Sequence, residues 1–152
     1  MAGVATTGKT GLGVVLKMGD GESPEGFATV ANVVSMEVGG VTLELVDATH
    51  LNSPDFYREW LSSLKTAQAW NLTVQWDPRE ATHDGTTGLR KKVEDRLLTT
   101  FQIDPTAIGL TLGIEADAFV TELGNISFTA DGIMTQTVTM QPTGKPRELD
   151  LS

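Results

Sequence analysis

The chain has 152 residues, a formal net charge of −9 and no cysteine. This length fits one domain, and such a domain buries enough surface to fold without disulfides or a structural metal. The absence of cysteine excludes a disulfide scaffold, a cysteine-ligated zinc site, an iron–sulfur cluster and a cysteine nucleophile. The negative charge argues against a free-standing nucleic-acid-binding domain, which needs a basic surface.

The first seventeen residues contain no long apolar stretch, so we expect neither a signal peptide nor a membrane span there. We therefore expect the protein in the cytoplasm or in a particle assembled there. Residues 3–10 match the phosphate-loop pattern G-x-x-x-x-G-K-[ST]. That loop works only between a buried strand and a helix, and neither neighbour is predicted here. We interpret residues 1–10 as a flexible arm, with a phosphate-loop enzyme as the alternative.

Apolar residues recur at every second position through most of the chain, which is the period of half-buried strands. Gly39 and Gly40 interrupt one such run, which predicts a hairpin between its two halves. The most regular alternation begins at Trp70 and ends before Pro78. The predicted strands lie at residues 12–18, 30–38, 41–45, 70–76, 101–103, 110–114, 119–123 and 133–140.

Two short helices are predicted between these strands. Ser53 and Pro54 form a helix start signal, and apolar residues then recur at spacings of three and four, which predicts a helix over 54–64. Leu89 and the apolar residues four and eight positions later predict a second helix over 87–98. Its polar face carries two opposite-charge pairs, Arg90 with Glu94 and Lys91 with Asp95.

The predicted fold class is mainly β: a β-sandwich or partly closed barrel with one or two short flanking α-helices. We expect a flexible N-terminal arm at residues 1–10, a single β-sandwich domain at 11–144 and a polar C-terminal tail at 145–152.

No arrangement of residues indicates catalysis, so we expect no enzymatic activity and no cofactor. Asp47, Thr49 and His50 are the residue types of a nucleophile–base device, but neighbouring strand residues face opposite sides. A polar turn at a strand end is the simpler interpretation. His83 and Asp84, even with His50, lack the frame of a metal site, so we expect no metal. The basic cluster at Arg90, Lys91 and Lys92 is followed by two acids, which favours a solvated helix face outside any barrel.

Six stretches follow one another along nearly the whole chain. The first three are a glycine-rich strand at 8–16, a strand at 27–38 that leads into the glycine pair at 39–40, and the segment V-D-A-T-H-L-N-S-P at 46–54. The last three are a segment at 56–65 containing Tyr57-Arg58-Glu59, a strand at 70–78 ending in W-D-P, and a segment at 131–146 ending in T-G-K-P. In this order they resemble the major tail tube proteins of phages with long, non-contractile tails. The chain departs from that family at Ser63, where a glycine is usual, and at residues 66–69, which replace an acid- and glycine-containing turn.

The resemblance implies a structural virion protein, assembled in the host cytoplasm, whose six copies form a ring. The sheets of a ring merge into an inner barrel, and the rings stack into a tube around a tape-measure protein. The implied partners are further copies of the chain, the tape-measure protein, the tail terminator and distal tail proteins. DNA later passes through the lumen without specific binding, and no membrane is involved.

On this interpretation, polar arms and loops meet neighbouring subunits or rings. The candidate interface residues are Thr6, Thr7, Asp47, Thr49, His50, Asp77, Arg79, His83 and Asp84. We expect an acidic lumen, because a basic wall would bind the phosphates of the DNA and hold it in place. The candidate lumen residues are Glu37, Glu44, Glu115, Asp117 and Glu122.

Two further interpretations stay open. One is another ring-forming protein of the same fold, such as a tail-completion or secretion-tube protein. The other is a monomeric β-sandwich that binds a ligand on its three tryptophans, although packing in a core or a subunit interface is the more common role of such residues.

Overall fold

The computed structural model describes residues 11–21, 24–85 and 87–152, so the arm predicted at residues 1–10, including Thr6 and Thr7, lies outside the described residues. The described residues form ten strands, one α-helix and two 3-10 turns. The strands are β1 Val15–Gly19, β2 Phe27–Thr29, β3 Val33–Glu37, β4 Val41–Asp47, β5 Trp60–Ala67, β6 Trp70–Gln75, β7 Leu98–Asp104, β8 Leu112–Ser127, β9 Thr135–Pro142 and β10 Arg147–Asp150. The helix α1 is Leu89–Glu94, and the 3-10 turns are Pro54–Phe56 and Thr106–Ile108.

Eight of the strands form one antiparallel sheet, in the order β2-β1-β7-β8-β9-β6-β3, with β10 also paired to β8. β8 is 16 residues long and organises the sheet. One edge of β8 pairs with β7. The other edge pairs with β10 at its start, residues 112–115, and with β9 over the remainder, residues 118–127. The two remaining strands, β4 and β5, pair only with each other and form a separate hairpin.

The large sheet curls until its two outermost strands meet at one point. Only Val30, Ala31 and Asn32 join β2 to β3, and three residues span at most about 11 Å. The amide of Val30 donates to the carbonyl of Leu16 in β1 (2.8 Å), while the carbonyl of Asn32 accepts from the amide of Gln75 in β6 (2.8 Å). The chain therefore joins the two edges of the sheet here without strand pairing between β2 and β3, and farther along residues 11–14 and residues of β3 border a cavity.

The inner face of the curled sheet surrounds a single hydrophobic core. In β6, for example, Trp70, Leu72 and Val74 are buried while the residues between them face outward. Phe101 lies at the centre with no exposed surface, and Leu89 of α1 packs against the same cluster. The remaining core residues are Leu16, Met18, Val30, Ile103, Ala116, Ala118, Val120, Val138 and Met140.

The predicted fold class is confirmed, since the described chain is mainly β, with a large antiparallel sheet, a small second sheet and one helix; the sheet does not close into a barrel. The predicted helix over 54–64 is wrong: a 3-10 turn at Pro54–Phe56 is followed by β5. Asp55 and Phe56 both have positive φ, which ends helical geometry after a single turn. The apolar spacing that suggested a helix belongs to a strand with both faces exposed.

The hairpin predicted across Gly39 and Gly40 is also wrong, because β3 pairs with β6 and β4 pairs with β5. Gly39 lies where the chain leaves the large sheet. A Cβ at this position would lie 2.5 Å from the carbonyl oxygens of Gln68 and Ala69, so the close approach requires glycine.

Three further predictions need correction. The strands predicted at 110–114 and 119–123 form one continuous strand, β8. The second helix is shorter than predicted, at Leu89–Glu94. The segment predicted as a polar tail contains β10, which pairs with β8 in the register Arg147 to Glu115 and Asp150 to Leu112.

Replacing Phe101 with alanine is expected to lower the free energy of unfolding by about 3–5 kcal/mol, because it leaves a cavity in the core. Phe56, which is 97% exposed, provides the matched control, and Phe56→Ala is expected to change stability by less than about 0.5 kcal/mol. Urea denaturation of both variants measures the difference. Equal losses of stability would contradict the assignment of Phe101 to the core.

Asp104, at the end of β7, makes stability depend on pH. Its carboxylate accepts hydrogen bonds from the amide (2.9 Å) and hydroxyl (2.6 Å) of Thr106 and lies 2.9 Å from the Lys17 ammonium. These donors lower the pKa of Asp104 to about 2. An aspartate in the unfolded chain titrates near about 3.9, so the stabilisation is fully present above that pH and is lost as the pH falls towards 2.

We therefore expect Asp104→Asn to reduce the decline in unfolding free energy between pH 4 and pH 2, while lowering stability at neutral pH. Asp131→Asn, at an exposed position, is the control for the loss of one aspartate and should retain the decline that Asp104 causes. Urea denaturation at a series of pH values provides the test. A profile for Asp104→Asn that is parallel to that of the unmodified chain would refute this role of the ion pair.

Candidate assembly surfaces

The β4–β5 hairpin presents apolar side chains to solvent on both of its faces. Every residue of β4 is exposed, as is every residue of β5 except Ala67. Val46 lies opposite Leu61, whereas the preceding residue, Leu45, points to the other face. The exposed apolar residues are Val41, Leu43, Leu45, Val46, Trp60, Leu61 and Leu64. A contiguous apolar surface of this kind on a soluble protein marks a site of interaction.

The loop at the end of the hairpin, residues 48–59, is held by its own hydrogen bonds. The hydroxyl of Ser53 donates to the Glu59 carboxylate (2.6 Å) and accepts from the amide of His50 (3.0 Å). The Nδ1 atom of His50 accepts from the amide of Asn52 (3.1 Å), so Nε2 carries the ring proton, and it lies 3.3 Å from Glu59. This network fixes the shape of the loop.

Three of the predicted interface residues, Asp47, Thr49 and His50, build this loop. Asp47 accepts from the Thr49 amide (2.9 Å) and pairs with Arg58 (3.1 Å). The hydrogen bonds of Thr49, followed by the charge of Arg58, hold the pKa of Asp47 below its ordinary value. The hydroxyl of Thr49 accepts from the amide of Glu59 (2.9 Å), which ties the two sides of the loop together.

The loop presents an apolar tip. Leu51 is 99% exposed and Phe56 97% exposed, and Tyr57 is also exposed. Asp55 and Phe56 have φ angles of 54° and 63°, a conformation that is uncommon for residues other than glycine. The backbone conformation of Asp55 and Phe56 costs free energy, and packing of the exposed Phe56 ring within the subunit does not offset this cost.

The other predicted interface residues lie in the loop between β6 and α1. Asp77 accepts hydrogen bonds from the backbone amide and side chain of Arg79, with the shortest contact at 2.8 Å, and this lowers the pKa of Asp77 to about 2. His83 is buried, with Nε2 2.7 Å from the carbonyl of Ala31. Asp84 accepts from the amides that precede α1 (2.9 and 3.2 Å). His83 and Asp84 thus anchor the loop, and Arg79 remains exposed on its surface.

The structure separates His50 from His83. His50 contacts Glu59 in the hairpin loop, while His83 contacts the β2–β3 junction. Across the described ranges, no group of three histidine, aspartate or glutamate side chains is placed to hold a metal ion. Within the same ranges, no helix is long and apolar enough to cross a membrane.

The outer face of the large sheet is polar over β3, β6 and β9, whereas the exposed Leu98 and Phe119 pair with each other on the same face of β7 and β8. Directly paired residues share a face, so Glu37, Asn71 and Thr139 form one outward row across β3, β6 and β9, and Glu122 of β8 pairs with Thr139 at its other end. Thr73 and Thr137 extend this surface in the next row. Glu44 belongs to the hairpin and is not part of this face.

Glu115 and Asp117, the other lumen candidates, lie on the same face and share one cation. Arg147 of β10 contacts the Glu115 carboxylate at 2.8 Å and that of Asp117 at 3.2 Å. The hydrogen bond from Arg147, followed by that from Thr100, holds the pKa of Asp117 below its ordinary value. The sequence analysis did not identify Arg147, which both attaches β10 to β8 and offsets part of the acidic charge.

The sequence of this chain matches the model of one protein family. Residues 15–148 match the model of the lambda phage tail tube protein family. No curated protein matches the sequence.

Three solved structures illustrate the shared fold. A chain from the virion of a native gene transfer agent particle is 18% identical, with a TM-score of 0.67 over 93% of this chain and 99% of that one. A chain from the tail of an empty gene transfer agent particle, computed with C6 symmetry, is 19% identical, with a TM-score of 0.67 over 92% and 98%. The third, from the sheath/tube terminator of the extracellular contractile injection system PVC, is 12% identical, with a TM-score of 0.70 over 96% and 99%.

At these identities the structural matches establish the fold alone, whereas the family match spans nearly the whole described sheet. The chain belongs to the lambda phage tail tube protein family, and it is a structural protein of the virion tail, not an enzyme.

Proposed function

We propose that this protein assembles into hexameric rings that stack into a tail tube, through which DNA is delivered. The observation that carries the proposal is the β4–β5 hairpin, whose apolar residues are exposed on both faces. The hairpin pairs only with itself, so the subunit leaves this surface uncovered. Burial of this surface by a neighbouring copy stabilises the assembly by roughly 25 cal/mol for each Å² of apolar surface removed from water.

Six copies per ring is the number favoured by the relatives. The tail of the gene transfer agent particle has C6 symmetry, and its subunit has the same fold as this chain. Stacked rings need head-to-tail contacts, which generate an open filament and leave its ends to other proteins. We infer that a terminator, distal tail proteins and a tape-measure protein are the partners of this tube.

The polar outer face of the large sheet is the part of the subunit best suited to line the lumen. It carries Glu37 and Glu122 beside uncharged threonine and asparagine side chains, and the Arg147 pairs leave Glu115 and Asp117 partly neutralised. Such a wall offers DNA phosphates few cations to bind, so the genome slides without being held. At physiological salt the acids act only within about 8 Å of the wall.

Electron microscopy of the concentrated, purified protein tests assembly. We expect tubes of stacked six-fold rings. The double variant Leu61→Ser, Leu64→Ser should remain monomeric because it removes two of the most exposed apolar side chains of β5. The variant Ser62→Ala, Thr66→Ala on the same strand is the matched control and should form tubes. A protein that stays monomeric at high concentration would contradict the proposal and favour a monomeric binding module.

A third outcome of this experiment follows from the notion of a tube end. A chain in the structure of the PVC sheath/tube terminator has the same fold as this protein. If the purified protein forms rings that do not stack, the ring-forming role is correct and the tube role is wrong. The protein would then act at the end of a tube, as a tail-completion protein does.

Charge reversal tests the lumen. In particles assembled with Glu37→Lys, Glu122→Lys, DNA release should slow at low salt and recover as salt is raised, because the new cations bind phosphates through counterion release. The variant Glu37→Gln, Glu122→Gln is the matched control and should release DNA at nearly the unmodified rate. Fluorescence of a dye that binds released DNA gives the rates. Equal release rates for the lysine and glutamine variants would show that this face does not line the lumen.

A further inference from the structure

The two faces of the β4–β5 hairpin carry opposite charges. Residues directly opposite each other in a strand pair share a face, and successive residues of a strand alternate between faces. Lys65 lies opposite Leu43, so these two side chains share one face, whereas Glu44, which follows Leu43, points to the other. We call the Lys65 side face A and the Glu44 side face B. The exposed apolar residues are Val41, Leu43, Leu45 and Trp60 on face A, and Val46, Leu61 and Leu64 on face B.

Neither of these two charges has a partner within the subunit. Glu44 and Lys65 are both exposed, and neither side chain makes a hydrogen bond or an ion pair with any residue in the described part of the chain. Arg58, in the loop of the same hairpin, is in contrast paired with Asp47 at 3.1 Å. Because Lys65 lies opposite the residue that precedes Glu44, the two unpaired charges lie at nearly the same level of the hairpin, on opposite faces.

The two faces also differ in shape beside these charges. The register of the hairpin shifts at this level, so that residues 63 and 64 of β5 both lie opposite Glu44 of β4. Such a bulge adds one residue to its strand, and Leu64 within it is 73% exposed on face B. On face A, beside Lys65, there is instead a cavity of about 500 Å³. Its lining consists of Val41, Lys65 and Ala67 of the hairpin and Gly144, Lys145 and Pro146 of the β9–β10 connection.

These differences determine how the hairpins of two copies fit together. Packing of like faces brings like charges together, which is costly in an interface that excludes water. Packing of face A on face B brings Lys65 of one copy to Glu44 of the other, and a projecting surface to a recessed one. A contact between two unlike surfaces repeats from copy to copy, whereas a contact between like surfaces ends with a pair. Repetition covers the apolar residues on both faces of each hairpin that lies between two others.

We propose that face A of the hairpin packs against face B of the hairpin of a second copy of this chain. The Lys65 ammonium of one copy contacts the Glu44 carboxylate of the other, and Leu64 of that other copy enters the cavity beside Lys65. This inference rests on the proposed function, because it names the partner of the surface on which that function depends.

Two charge reversals test this contact. Lys65→Glu makes both faces acidic, and Glu44→Lys makes both faces basic. We expect each variant alone to require at least about a tenfold higher concentration for assembly, because like charges then meet at every contact. Both positions are exposed, so urea denaturation should show unchanged stability of the subunit. Asp131→Lys, at an exposed position outside the hairpin, alters the net charge as Glu44→Lys does and should assemble normally.

An equimolar mixture of Lys65→Glu and Glu44→Lys gives the sharpest result, because each contact then joins an acidic face of one variant to a basic face of the other. We expect the mixture to form tubes at nearly the concentration that the unmodified chain requires, with the two variants in a 1:1 ratio by mass spectrometry. A subunit that had failed to fold would not be rescued by mixing.

The other outcomes separate this inference from the proposed function. Normal tubes from either variant alone would overturn the inference and leave the proposed function standing. A mixture that fails to assemble while the unmodified chain forms tubes would also overturn it, since the two charges would then have other partners. Assembly of the mixture into particles that are not tubes would support the inference and count against the stacked-tube function. If the unmodified chain stays monomeric, both are wrong.

Discussion

The β4–β5 hairpin extends from the sheet with apolar side chains on both faces, and no other strand of the described chain pairs with it. A hairpin of two strands is at best marginally stable in water without a surface to pack against. Its end is nevertheless well defined, through the hydrogen bonds among His50, Ser53 and Glu59. The subunit therefore maintains a defined apolar extension that no other strand of the described chain covers, and the proposed assembly would supply the missing partner.

The rest of the fold determines where the hairpin leaves the large sheet. Only three residues join β2 to β3, so the two edges of the sheet are linked by the chain at that junction, and the same continuous run of chain then leaves the sheet as the hairpin. His83 and Thr82 reinforce the junction by binding the carbonyl and the amide of Ala31. The hairpin is thereby anchored to a well-defined part of the sheet, and in the proposed tube the polar sheet face would be available to line the lumen.

The sequence pattern predicted the parts of the fold that are buried within the subunit. The alternation from Trp70 onward corresponds to β6, where every second residue enters the core, and the apolar spacing around Leu89 corresponds to α1. The same method failed at residues 54–64, because the period of apolar residues reports burial only when one face packs against the subunit itself. In β5 neither face does, so Trp60 and Leu64 matched a helical spacing by coincidence.

The attachment of β10 to the sheet could not be predicted from the pattern of apolar residues. Arg147 attaches β10 to Glu115 and Asp117 through charge, so a polar segment that resembled a disordered tail is part of the sheet. The resemblance in motif order did predict the family, because it depends on the succession of segments along the chain and does not require their secondary structure to be correct.

Hydrogen exchange on the free subunit and on the assembled protein, followed by mass spectrometry, tests the central claim most directly. The account predicts that peptides covering β4, β5 and the loop at 48–59 exchange rapidly in the free subunit and become protected on assembly. Peptides covering the core strands β6 and β9 should be protected in both states. Equal exchange of the hairpin peptides before and after assembly would contradict the claim that another copy of the chain covers the hairpin.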